Sequence, residues 1–312
     1  MIALAYDHMA AAPAAARPGD RPVWRGLTLR RAARGDLPAV CDLLHAAYGA
    51  PRYSVEDLRR YLSVEGAMLW LAVVRDRPIG VAGAVRYGPT ARIGVVGVHP
   101  IAQGAGVARA LMAHLLRLVE EAGCVRLTLD ATPAAVPLYT ELGFVHAGRT
   151  ARLVRAALPL TTAVDPQVGL TAAVTIVTME EKDMPEVALF DAPLFGAARP
   201  AALRACAGVD RGRAFVARDD AGRINGYLIA TRRGLGPWVA RTRAAAALLA
   251  AALALPYDTP PSVVLPAENT AGIALLARHG FQVERANEFM RRGGRLSGRR
   301  TAVYGQAGFA LG

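Results

Sequence analysis

Residues 91–122 read ARIGVVGVHPIAQGAGVARALMAHLLRLVEEA, and this stretch decides the fold. Its apolar beginning, up to Val98, has the composition of a strand, and the part from Val107 onward repeats apolar residues at helical spacing. Between them lies the small-residue turn Gln103-Gly104-Ala105-Gly106. The stretch therefore predicts a strand, a glycine turn and a helix in that order.

The glycine turn is suited to binding an anion. Gly104 and Gly106 permit backbone conformations that a Cβ disfavours, and they remove side chains that would keep a ligand away from the amides. Because the helix begins directly after the turn, its unpaired N–H groups and the positive end of its dipole add to the same site. A phosphate or pyrophosphate is the expected ligand.

Three other interpretations of the turn fit the sequence less well. A Walker loop requires Gly-Lys-Ser/Thr, and the turn contains no lysine. The dinucleotide fingerprint GxGxxG has its first two glycines here, and Asp130 imitates its ribose-binding acid, but Arg109 replaces the third glycine. Several strand-like segments also precede the turn, whereas a dinucleotide fold begins with its glycine loop. A turn that only reverses the chain is the remaining alternative.

At these residues the chain resembles the GNAT (GCN5-related) N-acetyltransferase superfamily. The acetyl-CoA loop of that family follows the pattern Q/R-x-x-G-x-G/A after a strand, and residues 103–108 match every fixed position. Residues 127–144 (LTLDATPAAVPLYTELGF) resemble the second signature of the family, which is a strand, a tyrosine-bearing helix and Gly-Phe. The resemblance implies an acetyltransferase that uses acetyl-CoA as co-substrate.

The same resemblance assigns residues to the co-substrate and to catalysis. The pyrophosphate would lie on the turn, the pantetheine arm would follow the preceding strand, and two strand amides would polarise the thioester carbonyl. Tyr139 would be the general acid for the departing thiolate, with a buried core tyrosine as the alternative. The implied cofactor-binding residues are Gly97, Val98, Gln103, Gly104, Ala105, Gly106, Val107 and Ala108.

A general base is harder to assign. Many relatives carry a glutamate on the strand before the loop, but residues 92–98 contain no acid. We expect Asp130 to be catalytic together with Tyr139, although Asp130 could instead orient its loop through Thr132. The other candidates are a water held by backbone carbonyls, the carboxylate of Gly312, and the side chains of His99, His146 and Asp191.

The chain contains an internal repeat. The pentapeptide at Asp36–Val40 (DLPAV) recurs at Asp183–Val187 (DMPEV), and the Gly-Phe pair at residue 143 recurs at residue 280. The sequence therefore predicts tandem α/β (α+β) GNAT folds, each a mixed, mostly antiparallel twisted sheet flanked by helices. The expected divisions are a disordered leader (1–24), a catalytic domain (25–154), a linker (155–170) and a degenerate C-terminal domain (171–312).

The second copy departs from the acetyl-CoA pattern. Where the first has its glycine turn, it has Gly234-Leu235-Gly236-Pro237-Trp238, in which Pro237 lacks an N–H and Trp238 would fill the groove. This half resembles the degenerate domain of a bacterial two-domain GNAT family, and we expect it to shape a substrate cleft without binding acetyl-CoA. An ammonium on Asp191 and a carboxylate on Arg199 are the expected contacts, and the predicted substrate-binding residues are Asp191, Phe195, Arg199 and Tyr227.

Composition narrows the partners. The formal net charge is +12, nearly all from scattered arginines, and aromatic residues make up only 6% of the chain. Few stacking platforms are therefore available for nucleic acid, and we expect neither nucleic acid nor a membrane as partner, although the basic segment 291–300 could bind a polyanion. The three cysteines lack metal-ligand spacing. We expect a cytoplasmic protein, with a homodimer left open, that acetylates a small-molecule or peptide amine. A non-catalytic, acyl-CoA-responsive binding protein is the alternative.

Overall fold

The computed structural model describes residues 26–50, 52–155, 174–210 and 212–312. The predicted leader and, apart from Arg155, the predicted linker up to 170 lie outside these ranges. The helices are α1 (Leu37–Tyr48), α2 (Val55–Ser63), α3 (Val107–Glu121), α4 (Val136–Glu141), α5 (Met184–Phe195), α6 (Pro200–Ala207), α7 (Thr242–Leu253) and α8 (Thr270–Arg278). In the described part of the chain no helix is both long and apolar enough to span a bilayer.

The strands carry most of the hydrogen-bonded framework. They are β1 (Thr28–Arg31), β2 (Ala67–Val74), β3 (Arg77–Tyr87), β4 (Thr90–Val98), β5 (Arg126–Ala131), β6 (Val145–Arg155), β7 (Thr175–Thr178), β8 (Ala214–Arg218), β9 (Ile224–Ala230), β10 (Gly234–Ala240), β11 (Ser262–Pro266), β12 (Phe281–Gly293) and β13 (Val303–Gly305). In the first half, one strand, two helices and three strands are followed by a helix, a strand, a helix and a strand.

The chain forms two compact units that do not follow the sequence halves. Of the described residues, unit 1 contains those up to Arg59 together with Met68–Gly83 and Val95–Leu118, and unit 2 contains those of Arg60–Ala67, Ala84–Gly94 and Val119–Gly312. The boundary between the units runs through the strands β3 and β4. The domain limits proposed from the sequence stay a prediction.

Unit 1 is built on strands in the order β1-β2-β3-β4. The turn between β2 and β3 consists of Arg75 and Asp76, both with positive φ, as a two-residue hairpin turn requires. Helix α2 begins with a capping box, since the Ser54 hydroxyl accepts from the Asp57 amide at 3.1 Å and the Asp57 carboxylate accepts from the Ser54 amide at 2.9 Å. Short-range signals in the sequence therefore position these elements.

Helix α3 packs closely on β3 in unit 1. A Cβ at Gly80 would lie 2.9 Å from the side chains of both Val107 and Leu111, so the absence of a side chain at Gly80 allows the close approach. Leu111 and Leu115 are completely buried. This packing fixes the first turn of α3, which directly follows the glycine turn.

Unit 2 has the strand order β4-β5-β12-β6-β11-β10-β9-β8-β7, with β13 paired to β10. The long strand β12 is antiparallel to β6 on one side, from Phe281 to Arg291, and to β5 on the other, from Glu288 to Gly293. The pairs β4–β5 and β10–β11 are parallel. The predicted fold class, a mixed and largely antiparallel sheet flanked by helices, is confirmed.

The prediction for the segment Gly234–Trp238 was wrong. We expected it to replace the glycine turn, but it forms strand β10 and pairs with β9, β11 and β13. Trp238 fills no groove, because it is completely buried in a core cluster with Leu248 and Tyr304. The burial of the apolar side chains of Leu235, Trp238 and Val239 outweighs the turn character of the glycines and the proline.

We expect Leu111→Ala to lower the free energy of unfolding by about 2–5 kcal/mol, because it removes a completely buried side chain and leaves a cavity under α3. Urea titration followed by circular dichroism measures the loss. The control is Arg117→Ala on the exposed side of the same helix, which should change stability by less than about 0.5 kcal/mol. Equal losses in both variants would contradict the packing described here.

Candidate active site

The glycine turn in unit 1 has the geometry of an anion cradle. Gly104 and Gly106 have φ values of 76° and 80°, and a Cβ at either residue would point into open space. Glycine is therefore required here for its backbone conformation, and the space in front of the amides stays open. The first turn of α3 leaves N–H groups without intrahelical acceptors beside this space. The residues predicted to hold a pyrophosphate thus fit such a group.

The end of strand β4 is fixed against α1 in unit 1. A Cβ at Gly97 would lie 2.9 Å from Leu44 of α1, and the Tyr48 hydroxyl donates to the Val96 carbonyl at 2.6 Å. The Gln103 amide group donates to the Val98 carbonyl at 3.1 Å and connects the turn to the strand. The backbone of the predicted thioester-binding residues is therefore held in place from both sides.

Val95, on the same strand, has a φ of 53°, a left-handed conformation that β-branched residues rarely adopt. Backbone strain of this kind costs on the order of 1–3 kcal/mol and clusters at ligand sites. This conformation could not be predicted from the sequence, since a valine in an apolar run predicts a regular strand. The strain lies three residues before Val98, within the strand predicted to hold the pantetheine arm.

Both predicted catalytic residues lie in unit 2. Tyr139 lies on α4, is 5% exposed and packs edge to face on Phe144, with ring centroids 6.0 Å apart. Asp130 lies near the end of β5 and forms a buried ion pair with Arg92, while its other oxygen, Oδ1, has no partner among the described residues. The catalytic roles stay predictions, and the ion pair gives Asp130 a second, structural function.

Arg92 was missed by the sequence reasoning. It is 3% exposed, and besides Asp130 it donates to the Phe309 carbonyl through Nε and Nη2 at 3.3 and 3.2 Å. An arginine within the apolar run of β4 is the signal that could have found it, because a buried guanidinium needs a carboxylate partner. The neighbouring strand β5 carries the partner carboxylate, Asp130.

The structure brings all four predicted substrate-binding residues together. Arg199 donates to both carboxylate oxygens of Asp191, at 2.9 and 3.0 Å, and Tyr227 donates to Asp191 Oδ1 at 2.5 Å. The Arg199 guanidinium also lies 3.6 Å from the centre of the Phe195 ring and donates to the Gly312 main-chain oxygen at 2.6 Å. Each polar group therefore already has a protein partner.

Burial and charge define the character of this cluster. Asp191 and Tyr227 are completely buried and Arg199 is 2% exposed. Burial, followed by the Asp191 charge, raises the pKa of Tyr227 well above its ordinary value. Burial lowers the pKa of Arg199, but the Asp191 carboxylate more than offsets this and the net pKa is raised. Binding of substrate ammonium and carboxylate groups by Asp191 and Arg199 stays a prediction, which their mutual pairing does not favour.

The two histidines named as candidate bases lie in different surroundings. His99 follows β4 in unit 1, where its Nδ1 accepts from the Ile101 amide at 3.4 Å and burial lowers its pKa. His146, on β6 in unit 2, is exposed and pairs with Glu288 at 2.8 Å. Neither arrangement identifies a general base.

With the geometry established, comparison with known proteins identifies the family. Models of the acetyltransferase (GNAT) domain match residues 40–160 and 187–305, which together make up more than half of the chain. The chain belongs to the GNAT acetyltransferase family. Two GNAT domains in one chain also agree with the internal repeat predicted from the sequence.

Solved structures support the tandem GNAT fold. A Pyrococcus horikoshii protein solved as a candidate acetyltransferase superposes with a TM-score of 0.77 at 23% identity, over 95% of this chain and 99% of that one. A tandem GNAT protein from the clavulanic acid biosynthesis pathway superposes with a TM-score of 0.59 at 18% identity, over 86% of this chain and 99% of that one. At these identities the likeness shows the fold alone.

A curated relative extends the comparison to sequence. Serotonin N-acetyltransferase 2 of Oryza sativa subsp. japonica is 33% identical to this GNAT protein over 125 residues. The match covers 38% of this chain and 62% of the relative. The activity and substrate of that enzyme therefore do not pass directly to this GNAT protein.

We expect Asp191→Asn to destabilise this GNAT protein by about 3–5 kcal/mol, because it leaves the buried Arg199 guanidinium without a counter-charge. Arg199→Met should have a comparable effect. The double variant should lose less than the sum of the two single losses, since the partners interact directly. Urea titration of the three variants and the wild type measures the coupling, and additive losses would show that the pair is not energetically linked.

Proposed function

We propose that this protein is an acetyl-CoA-dependent N-acetyltransferase. It transfers an acetyl group to an amine of a small molecule or peptide by direct attack, without a covalent enzyme intermediate. The observation that carries the proposal is the open glycine turn between β4 and α3, where Gly104 and Gly106 have left-handed conformations and leave the amides accessible. A likeness to a curated N-acetyltransferase, at 33% identity over part of each chain, supports transfer to nitrogen.

The first GNAT domain supplies the contacts for the co-substrate. The amides of Gln103 to Ala108 would bind the pyrophosphate through hydrogen bonds and the N-terminal dipole of α3. When bound, acetyl-CoA supplies the thioester that the amine attacks. The amides of Gly97 and Val98 would polarise the thioester carbonyl, and the contacts of β4 with α1 hold this part of the backbone.

Tyr139 acts as the general acid in this proposal. The attack forms a C–N bond and breaks the C–S bond, and the Tyr139 hydroxyl gives its proton to the departing sulfur. A thiol has a pKa of about 8.5 and a phenol about 10, so the sulfur needs only partial protonation to leave. The contribution of Tyr139 should therefore be at the lower end of the range for general acids.

No residue is as well supported as acceptor of the amine proton as Tyr139 is as general acid. Asp130 remains the predicted base, but one of its oxygens is held by Arg92 and its side chain is completely buried. A neutral amine could contact Oδ1 only if the residues that bury the Asp130 side chain moved aside. The proposal therefore depends on the glycine turn and on Tyr139, and it holds equally if water removes the proton.

We expect acetyl-CoA to bind wild-type protein at one site and Gly106→Glu to abolish this binding, because a carboxylate in the cradle repels the pyrophosphate. Isothermal titration calorimetry measures both, with NAD as a ligand that should not bind. Gly123→Glu is the matched control, since Gly123 has a similar φ of 85° and an equally open surrounding. Acetyl-CoA binding that survives Gly106→Glu would overturn the site.

We expect Tyr139→Phe to lower kcat about 10- to 100-fold with little change in the KM for acetyl-CoA, since the hydroxyl acts on the leaving group and not on binding. Release of free thiol with a panel of amines measures the rate. Tyr257→Phe, which also removes a hydrogen-bonding hydroxyl, should leave kcat unchanged. Acetyl-CoA binding without turnover on any amine would instead favour a non-catalytic, acyl-CoA-responsive protein.

A further inference from the structure

Unit 2 contains a pocket that the proposed transfer does not use. Its floor is formed by the paired strands β4 and β5, where Thr90 lies opposite Arg126 and Arg92 lies opposite Thr128. Because side chains alternate along a strand, these four residues share one face of the sheet. The cavity has a volume of about 70 Å³, and its apolar walls include Leu194, Phe195, Phe289, Leu296 and Val303.

Three arginine side chains, those of Arg92, Arg126 and Arg300, line the pocket. Arg92 is paired with Asp130, and Arg300 is paired with Glu268 at 3.1 Å.

Arg126 is different, because its Nε donates to the Thr90 hydroxyl at 3.2 Å. Across the described ranges no carboxylate forms an ion pair with Arg126. One guanidinium in the pocket therefore lacks a counter-charge.

Gln306 supplies a second, independent sign of a ligand. It lines the pocket and is 6% exposed, and its side-chain oxygen Oε1 is buried without a donor in the part of the chain that the structure describes. Its backbone is held by a hydrogen bond from Gln306 N to the Val264 carbonyl at 2.6 Å. A buried acceptor without a partner is unfavourable, so a molecule with an N–H or O–H group would be stabilised here.

We propose that this pocket binds a small carboxylate that also carries an N–H donor and a short apolar body. The carboxylate pairs with Arg126, for which a guanidinium offers two parallel donors. The N–H group donates to Gln306 Oε1, and the apolar body packs between Phe195 and Phe289. The volume is several times the roughly 10–15 Å³ that one water needs, which is enough for a small organic group.

The charge in the pocket favours a carboxylate over a phosphate. Two of the three guanidiniums already have carboxylate partners, so the Arg126 guanidinium remains for the ligand, and Gly312, which also lines the pocket, accepts from Arg199. A phosphate dianion would keep one uncompensated negative charge in a largely apolar enclosure, which is unfavourable. This carboxylate site consists of residues of unit 2 alone. It is separate from the proposed transfer, because it requires neither the glycine turn nor Tyr139.

N-acetylglycine is a suitable probe, because it has a carboxylate, one amide N–H and few atoms. Titration followed by NMR, without acetyl-CoA, should show saturable binding at one site. N-acetylglycinamide, in which an amide replaces the carboxylate, should bind at least about tenfold more weakly, and so should inorganic phosphate. Equal binding of N-acetylglycinamide, or tighter binding of phosphate, would overturn the proposal.

Variants test the two contacts separately. Arg126→Met should weaken N-acetylglycine binding at least about tenfold, whereas Arg233→Met, which removes an exposed arginine, should leave it unchanged. Gln306→Leu should weaken it about three- to tenfold through the lost hydrogen bond. Unchanged binding in Arg126→Met, or an equal loss in Arg233→Met, would contradict the site. If Arg126→Met does not fold, Arg126→Lys and Gln306→Leu decide the question, and unchanged affinity in both would contradict it.

The acetyl-CoA site and the carboxylate pocket can be tested independently. Arg126→Met should still bind acetyl-CoA with wild-type affinity, and Gly106→Glu should still bind N-acetylglycine. Loss of N-acetylglycine binding in Gly106→Glu would show that the probe occupies the acetyl-CoA site and would overturn the pocket as a separate site.

Discussion

The hydrogen bonding of β12 is the constraint on which the rest of unit 2 depends. This strand follows the predicted linker, yet it lies between β5 and β6, which precede it. A strand with partners on both edges satisfies its own amides and carbonyls and also covers one edge of each neighbour. Without β12, the strands β5 and β6 would expose unpaired edges, so the second half of the sequence completes the sheet of the first. This exchange explains why the compact units do not follow the two GNAT sequence matches.

Buried ion pairs hold residues 309–312, of which Gly312 lines the pocket of unit 2. Arg92 donates to the Phe309 carbonyl, Tyr87 donates to the Leu311 carbonyl at 2.9 Å, and Arg199 donates to Gly312. Each arginine can be buried only because an aspartate neutralises it, Asp130 for Arg92 and Asp191 for Arg199. The carboxylates thus act on residues 309–312 indirectly, by keeping the guanidiniums in place. The same pairing leaves Arg126 as the charge available to a ligand.

Local signals predicted the parts of this structure that depend on a few adjacent residues. The glycine turn follows from short-range stereochemistry and lies where it was predicted, and the capping box at Ser54 and the hairpin turn at Arg75 depend on equally few residues. Gly234–Trp238 was misassigned because a strand paired on both sides can accommodate glycines that suggest a turn. Asp191 and Arg199 were predicted as ligand contacts because their long-range partners are not visible in a sequence. The pairing of β12 with β5 and β6 is also non-local. It could not be predicted, because a sequence repeat suggests two folds that each pair only their own strands.

The second GNAT domain shows why a single acetyl-CoA loop is expected. Strand β10 passes into α7 through Arg241, so no glycine turn separates the strand from the helix. The Arg241 amide, which would face an anion, already donates to the Asn225 carbonyl at 2.8 Å. An anion cradle needs both a free amide and a backbone that turns away from the ligand, and this junction provides neither. The strands β11 and β12 of the second domain pair with β5 and β6 through their edges. This pairing does not require a glycine turn. A duplicated GNAT domain can therefore keep its strands and lose the acetyl-CoA loop.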